Sequence, residues 1–573
     1  MRATAGPGPD PGPALLTSAA GLVDVAGPPA AARPSGVGLR SRRVHAGRLL
    51  AVPVAAVLLA LWLIADPRTP DLAAQVYRVG LFDHLGFAVW DEHWYAGHYL
   101  PGYSLLFPPL ASLLGLRLVA VLSVLASSAL FERLALRAYG PSARWGAAMF
   151  AVAAAGDVWI GRLVFAMGVS LALASVLARV RGRSLWAGLL ASLCAAASPV
   201  AGLLLALAGL TWGLHRRSAR TALVLALPPC VVVAVLAALF PEGGFEPYPV
   251  LSFGATVVVV LAFLWALPAR QRLLRLGALV YLLACLLCLA IHTPMGSNIE
   301  RYGVLLAGPL LLCALARDHA LAVRWPGLAG ALALFLAALW VVWGPVRETL
   351  AVAGNESTQA AYYEPVERFL AGVQAPPAAP VRIEVPFTRS HWEAALLAPK
   401  VSLARGWEKQ LDTRFDGLLL APGLTASAYE RWLHLQAVAY VALPDTPLDP
   451  SSAQEGRLIR RGLPFLQRVF ASRHWTIYRV LAPTPIASGP GRLTSLGDDS
   501  FALRATSAGR FLVRVHFTRY WTLARGDGCV GEAPSGWTSV TARAPGVVVV
   551  VARFSLARAL GLGGSSCGRS PSA

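Results

Sequence analysis

Leu49-Leu-Ala-Val-Pro-Val-Ala-Ala-Val-Leu-Leu-Ala-Leu-Trp-Leu-Ile-Ala65 runs without a charge into Asp66-Pro67-Arg68-Thr69-Pro70-Asp71. The first stretch reads as a membrane span and the second as its abrupt exit into water. Ten further apolar runs follow, near 112–131, 145–156, 163–178, 185–197, 199–214, 221–240, 252–267, 276–291, 303–316 and 327–344. Several are shorter than the roughly 20 residues an untilted helix needs. Those around Asp157 and Ser198-Pro199 read as kinked or partly re-entrant, a form tolerated where protein or water covers the backbone.

The totals agree. Of 573 residues, 56% are hydrophobic and 14% charged, the balance of a multi-span membrane protein with room for about eleven helices and a water-soluble domain. The net charge of +20 does not indicate nucleic acid, because only Lys400 and Lys409 are lysines and the arginines gather in short connectors. Arg40, Arg42, Arg43 and Arg48 precede the first span. Arg133, Arg137 and Arg144, then Arg179, Arg181 and Arg183, Arg216, Arg217 and Arg220, Arg270, Arg272 and Arg275, and Arg317 and Arg324 fall on the same side. The opposite loops carry Arg68, Arg78, Arg162 and Arg301. This positive-inside asymmetry puts the N-terminus in the cytoplasm, and an odd number of spans puts everything after Gly344 outside.

The expected organisation is a disordered, Pro/Gly/Ala-rich arm over 1–39 and a polytopic domain over 40–344 with its first outer loop at 66–111. An extracytoplasmic α/β domain follows over 345–484, then a small β-sandwich and disordered tail over 485–573. Arg382-Ile-Glu-Val-Pro-Phe387, Val438–Leu443 and His474–Val480 read as strands. Ser427/Glu430, Ser452/Glu455 and Ser297/Glu300 have capping-box spacing. Cys285 and Cys288 lie inside an apolar run and read as packing. Cys529 and Cys567 are placed to form a disulfide if the tail is outside the cytoplasm.

Chemistry gathers in the loops. Thr69-Pro70-Asp71 opens a helix on which Asp71, Gln75 and Arg78 share one face while Leu72, Val76 and Val79 share another, as an amphipathic helix on a membrane surface would. Asp71 serves either the helix dipole or a general base that takes a proton from an attacking hydroxyl. Trp90-Asp91-Glu92-His93-Trp94-Tyr95-Ala96-Gly97-His98 offers a second acid in Asp91, and His93 and His98 as substrate ligands. Its plainer reading is an interfacial aromatic belt. Asp157, with Arg162 five residues on, is a solvated loop acid or a further catalytic or metal-binding carboxylate. In His292–Arg301, Asn298 and Arg301 join Arg162 and Gln75 as candidate substrate ligands, and Arg301, with Arg162, suits a lipid-carrier phosphate or snorkels to the interface. A divalent cation, if one is used, would fall to Asp71 and Asp157. The sequence has no phosphate-loop lysine motif, no GxGxxG opening a helix and no metal-spaced Cys/His set.

Asp71-Leu-Ala-Ala-Gln, Trp90–His98 and Phe107-Pro108-Pro109-Leu110, in this order between a first span and many others, resemble the first outer loop of bacterial integral-membrane glycosyltransferases of the GT-C superfamily. The YfhO-like group is the nearest likeness, over most of 49–480. The resemblance implies a polyprenyl-phosphate-linked sugar as donor, inversion at the transferred carbon, Asp71 as the catalytic acid residue of the first loop and Asp157 as that of the second. Gln75 stands where the group often has a histidine or an acid. The expectation is a multi-pass plasma-membrane glycosyltransferase acting on an envelope glycan, lipid or protein at the outer face. The alternative is a non-catalytic protein for lipid or polysaccharide translocation or assembly, with a partner-binding outer domain.

Overall fold

The computed structural model describes residues 49–322, 327–534, 536–562 and 567. The arm over 1–39, the arginines at 40–48 and Arg324 lie outside the described residues. Each of the eleven apolar runs is helical. The N-terminal half consists of α1 (Ala51–Ala65), α2 (Pro70–Leu85), α3 (Phe107–Leu114), α4 (Leu116–Tyr139), α5 (Arg144–Trp159), α6 (Leu163–Val180), α7 (Ser184–Ala197), α8 (Pro199–Arg216), α9 (Ala219–Leu239), α10 (Val250–Ala266), α11 (Arg272–Ala290), α12 (Glu300–Ala322) and α13 (Leu328–Val352).

Among the described residues, six helices are long and apolar enough to cross a membrane, or up to seven if the bent pair α1–α2 is one span; the other apolar runs of the expected eleven do not meet that length and composition. Helix α5 has 16 residues and α7 has 14, against roughly 20 for an untilted crossing. Leu223, Leu227, Val231 and Val235 on α9, and Leu279, Leu283 and Leu286 on α11, face outward. A continuous apolar exterior of this kind requires lipid, which puts this half in a membrane.

Helix α1 turns into α2 through 80°. Asp66 closes α1 in the left-handed conformation (φ 42°), its N–H bonded to Trp62 O, and Pro70 opens α2 at a position where a missing N–H does no harm. Thr69 does not cap α2. Its hydroxyl donates instead to Trp159 O (3.3 Å). Nor does α2 lie with one face free, since Leu72, Gln75, Tyr77, Arg78 and Val79 are all buried.

The C-terminal half is β-rich. A five-stranded sheet runs in the order Ser402–Leu403, Arg382–Glu384, Val438–Pro444, Trp475–Val480, Leu466–Ala471, with the first three strands parallel. Two four-stranded antiparallel sheets follow. Their inward residues, among them Phe501, Leu503, Phe511, Val513, Val540 and Val550, alternate along each strand and form one core. Cys529 and Cys567 are disulfide-bonded, while Cys285 and Cys288 are free.

Local capping gives way to tertiary contacts. Thr425, not Ser427, caps Ala426–Leu435 by accepting from Ala428 N. Ser452 accepts from Phe387 N (3.0 Å), and Glu455 takes Arg405 (2.6 Å) and Tyr429 (2.8 Å). Ser297 donates to Glu246 (3.1 Å), and Glu300 accepts from Thr256 (3.4 Å).

Candidate active site

Asp71 sits in the first turn of α2, and the tight turn joining α5 to α6 is pressed against it. Gly161 makes that approach possible. It lies at φ +87°, and a Cβ there would come 2.3 Å from Leu72 N and 2.9 Å from Asp71 C. Only a residue without a side chain fits. The turn delivers Arg162, whose Nε lies 3.3 Å from Asp71 Oδ2 and whose Nη1 lies 3.8 Å from Asp157 Oδ1. Asp71 and Arg162 keep 36% and 31% of their side-chain surface open, whereas Asp157 keeps 10%. One guanidinium thus bridges a reachable carboxylate and a sheltered one.

Arg301 approaches from the start of α12. Its guanidinium stacks over the Phe165 ring (5.3 Å) and donates to Asn298 Oδ1, and its buried Nε has no hydrogen-bond partner. It stands in the electrostatic field of Asp71, Asp157 and Arg162. Gln75, one turn along α2, donates to the Tyr103 hydroxyl. Arg78, a turn further, donates to Glu408 Oε2 (2.5 Å) and covers the Tyr103 ring at 3.8 Å. Asp71, Asp157 and Arg162 therefore meet in one charged corner between α2 and the α5–α6 turn, with Arg301 and Asn298 joined to it over Phe165 and Gln75 one turn along α2.

Asp91, His93 and His98 do not share it. The Tyr77 hydroxyl donates to Asp91 (2.9 Å to each oxygen), His93 N donates to it as well (3.0 Å), and His98 Nδ1 lies 3.6 Å away. All three are buried. Burial raises the Asp91 pKa to about 6, against the lowering pull of His93, and lowers that of His98 to about 3, aided by Arg78. His93 Nδ1 meets Asp498 at 2.8 Å. The backbone of this segment belongs to the C-terminal half: Glu92 N donates to Asp498 O (2.6 Å), Leu403 N to His93 O (2.8 Å) and His516 N to Ala96 O (2.7 Å). Trp94, fully buried, stacks on Tyr77 (4.4 Å) and donates to Ala394 O (3.0 Å). The acids and aromatics that stood out in the sequence dock the first loop against the sheets.

Among the described residues, no group of three or more His, Cys, Asp or Glu is placed to hold a metal ion. Arg162 lies between Asp71 and Asp157, the two carboxylates to which a divalent cation would fall. A cleft of about 660 Å³ opens beside the α1–α2 bend, lined by Asp66, Arg68, Thr349 and Thr358 among others; Asp71, Asp157, Arg162 and Arg301 do not line it.

Sequence reasoning passed over Glu246 and Lys409. Glu246 accepts from Ser297 Oγ (3.1 Å), next to the Asn298 that accepts from Arg301, so it lies against the start of α12, and burial raises its pKa. The available signal was Pro241-Glu-Gly-Gly-Phe-Glu-Pro-Tyr-Pro249, a connector with two acids among prolines and glycines, on the same side as Asp71 by the arginine asymmetry.

No family model matches the sequence, and no curated protein matches it. Among solved structures, the chain is similar to the cryo-EM structure of the arabinofuranosyltransferase AftD from Mycobacteria. The TM-score is 0.43 at 18% identity, covering 89% of this chain and 41% of that one. It is also similar to the crystal structure of ArnT from Cupriavidus metallidurans in the apo state, with a TM-score of 0.41 at 15% identity, over 74% of this chain and 97% of that one. The chain spans about two fifths of the length of the first of these.

Proposed function

We propose that the protein is a membrane glycosyltransferase that moves a sugar from a polyprenyl-phosphate donor to an envelope glycan, lipid or protein at the outer face. The observation that carries this reading is the meeting of Asp71, Arg162 and Asp157 beside Arg301, from segments far apart in sequence. The Cys529–Cys567 disulfide and the arginine asymmetry support an extracytoplasmic C-terminal half.

In the resting site Arg162 neutralises Asp71. A donor phosphate competes for that guanidinium, and Arg301 has a buried, unpartnered N–H to add. Drawing Arg162 toward the phosphate frees Asp71 to take the proton from an acceptor hydroxyl as its oxygen attacks the anomeric carbon. The bond from that carbon to the phosphate oxygen breaks, the electron pair leaves with the phosphate, and the configuration inverts. Asp157 keeps Arg162 in place, and the two arginines stabilise the departing charge. Asp91, enclosed under the sheets, has no part in this.

The test is transfer from a radiolabelled polyprenyl-phosphate sugar in membranes holding the full chain. Asp71→Asn should insert normally and lose at least about 100-fold in rate, the usual scale of a general base. If this variant matches wild type while removal of 345–573 abolishes function, the translocation or assembly alternative takes its place.

A further inference from the structure

The connector from α9 to α10, residues 241–249, has no regular secondary structure, yet it is gripped from both sides. Phe245 N donates to the Thr413 hydroxyl (3.1 Å), which also lies 2.8 Å from Phe245 O, and Glu246 N donates to Thr293 O (3.0 Å). Two glycines allow the backbones to touch. A Cβ on Gly244 (φ +71°) would lie 1.9 Å from Gln410 O, and one on Gly296 (φ +39°) 1.9 Å from Glu246 O. The backbone at Phe245 and Glu246 is thus held between the helix Lys409–Phe415 and the turn before α12. One oxygen of the Glu246 carboxylate accepts from Ser297 Oγ (3.1 Å).

Lys409, next to that grip point, is exposed, and its Nζ lies 6.0 Å from the centre of the Trp407 ring. One face of Trp407 is covered by His391, stacked at 3.5 Å, and the residue stays half-buried. A carboxylate that accepts, an ammonium that donates and an indole backed on one side are the groups a neutral sugar ring engages with its hydroxyls and its C–H face.

We infer that Glu246, Lys409 and Trp407 form the acceptor subsite beside Asp71, and that what they receive is the neutral end of a glycan. This rests on the sugar-transfer reading above and narrows its acceptor to carbohydrate. It also makes the active site composite, with the base on a membrane-side helix and the acceptor held partly by the C-terminal half.

The experiment is saturation-transfer difference NMR on the full chain in lipid nanodiscs, with methyl glycosides of glucose, galactose, mannose and ribose as probes. At least one glycoside should take saturation from the wild type. Its Kd should weaken about 10-fold in Glu246→Gln, which loses a charge-assisted hydrogen bond, and measurably in Lys409→Ala, an exposed change that leaves the fold alone. No saturation of any glycoside by the wild type, or an unchanged Kd in both variants, overturns the inference. Binding needs no turnover, so glycoside binding without sugar transfer counts against the transferase reading alone. Transfer to a peptide or a non-sugar lipid without glycoside binding counts against this one alone.

Discussion

Arg162 stands between two carboxylates, and under the proposed transfer the donor's phosphate decides which of them it serves. Arg162→Ala removes both the brake on Asp71 and half of the phosphate clamp, whereas Arg301→Ala removes only clamp. The second change should mainly raise the apparent KM for donor, and Arg301→Lys should restore part of the loss, since a lysine keeps the charge but not the forked geometry. Gly161 is the positioning residue for the pair. Gly161→Ala forces a left-handed backbone, which alone costs about 1–2 kcal/mol, and sets a methyl group against Leu72 N. Its expected outcome is a lowered Tm together with lost activity, read by thermal unfolding in detergent; wild-type values for both would contradict the tight approach of the turn to α2. His93 and Asp498 supply a pH test. Burial works to lower the His93 pKa, but the hydrogen bond to Asp498 and the charges of Asp91 and Asp498 prevail and raise it above its ordinary 6.5. That same hydrogen bond is the largest influence holding Asp498 below 3.8. A raised imidazole contributes stability in full below its ordinary value and loses it as pH rises through the folded pKa. A depressed carboxyl contributes above its ordinary value and loses it as pH falls. The pair is thus strongest in mildly acid conditions and fades above neutrality. From about pH 6.5 to about pH 8.5 the wild-type Tm should fall more steeply than that of Asp498→Asn; equal slopes would remove this bridge from the account.

At the scale of elements, the helices were legible and their ends were not. Every apolar run between 49 and 344 is helical, because a helix satisfies its backbone within itself where lipid offers no partner. The bend after Asp66 was legible too, from Pro67 and Pro70. The capping boxes misled, since spacing describes only neighbours along the chain. Ser452 and Glu455 are claimed by Phe387 N and by Arg405, which lie elsewhere in the sequence. Glu455 in fact joins a buried cluster in which Arg405 is held by Glu384 and Glu455, its side chain 1% exposed and theirs fully enclosed. Burial raises the Glu384 carboxyl to about 8 in spite of Arg405. Arg405→Ala leaves two enclosed carboxylates without their cation and should destabilise the C-terminal half by roughly 3–5 kcal/mol, measured by chemical unfolding followed through the fluorescence of Trp432 and its neighbours. A loss under about 1 kcal/mol would mean the cluster is relieved by proton uptake.

Across the whole molecule, the two halves meet along several seams. Arg78 on α2 reaches Glu408, Trp392 Nε1 donates to Arg68 O (3.0 Å), and the 90–98 segment is hydrogen-bonded to strands of the C-terminal half. From sequence, Asp71, Asp157, Arg162 and Arg301 could be named because charges are scarce near apolar helices and stand out. Asp91, His93 and His98 stood out for the same reason and lie buried in the segment bonded to the C-terminal half, since scarcity marks a constrained charge without saying whether substrate or protein constrains it. Glu246 and Lys409 were hidden because their meeting depends on how the connector folds against the C-terminal half. The claim on which everything turns is the proposal that Asp71 acts as the base in sugar transfer. Mass spectrometry of envelope glycans and lipid-linked sugars, in cells carrying either wild type or Asp71→Asn at equal membrane abundance, addresses it directly. The account predicts that the variant accumulates a lipid-linked sugar and lacks one glycan product, as cells without the protein do. A wild-type glycan and lipid profile in the variant would contradict it.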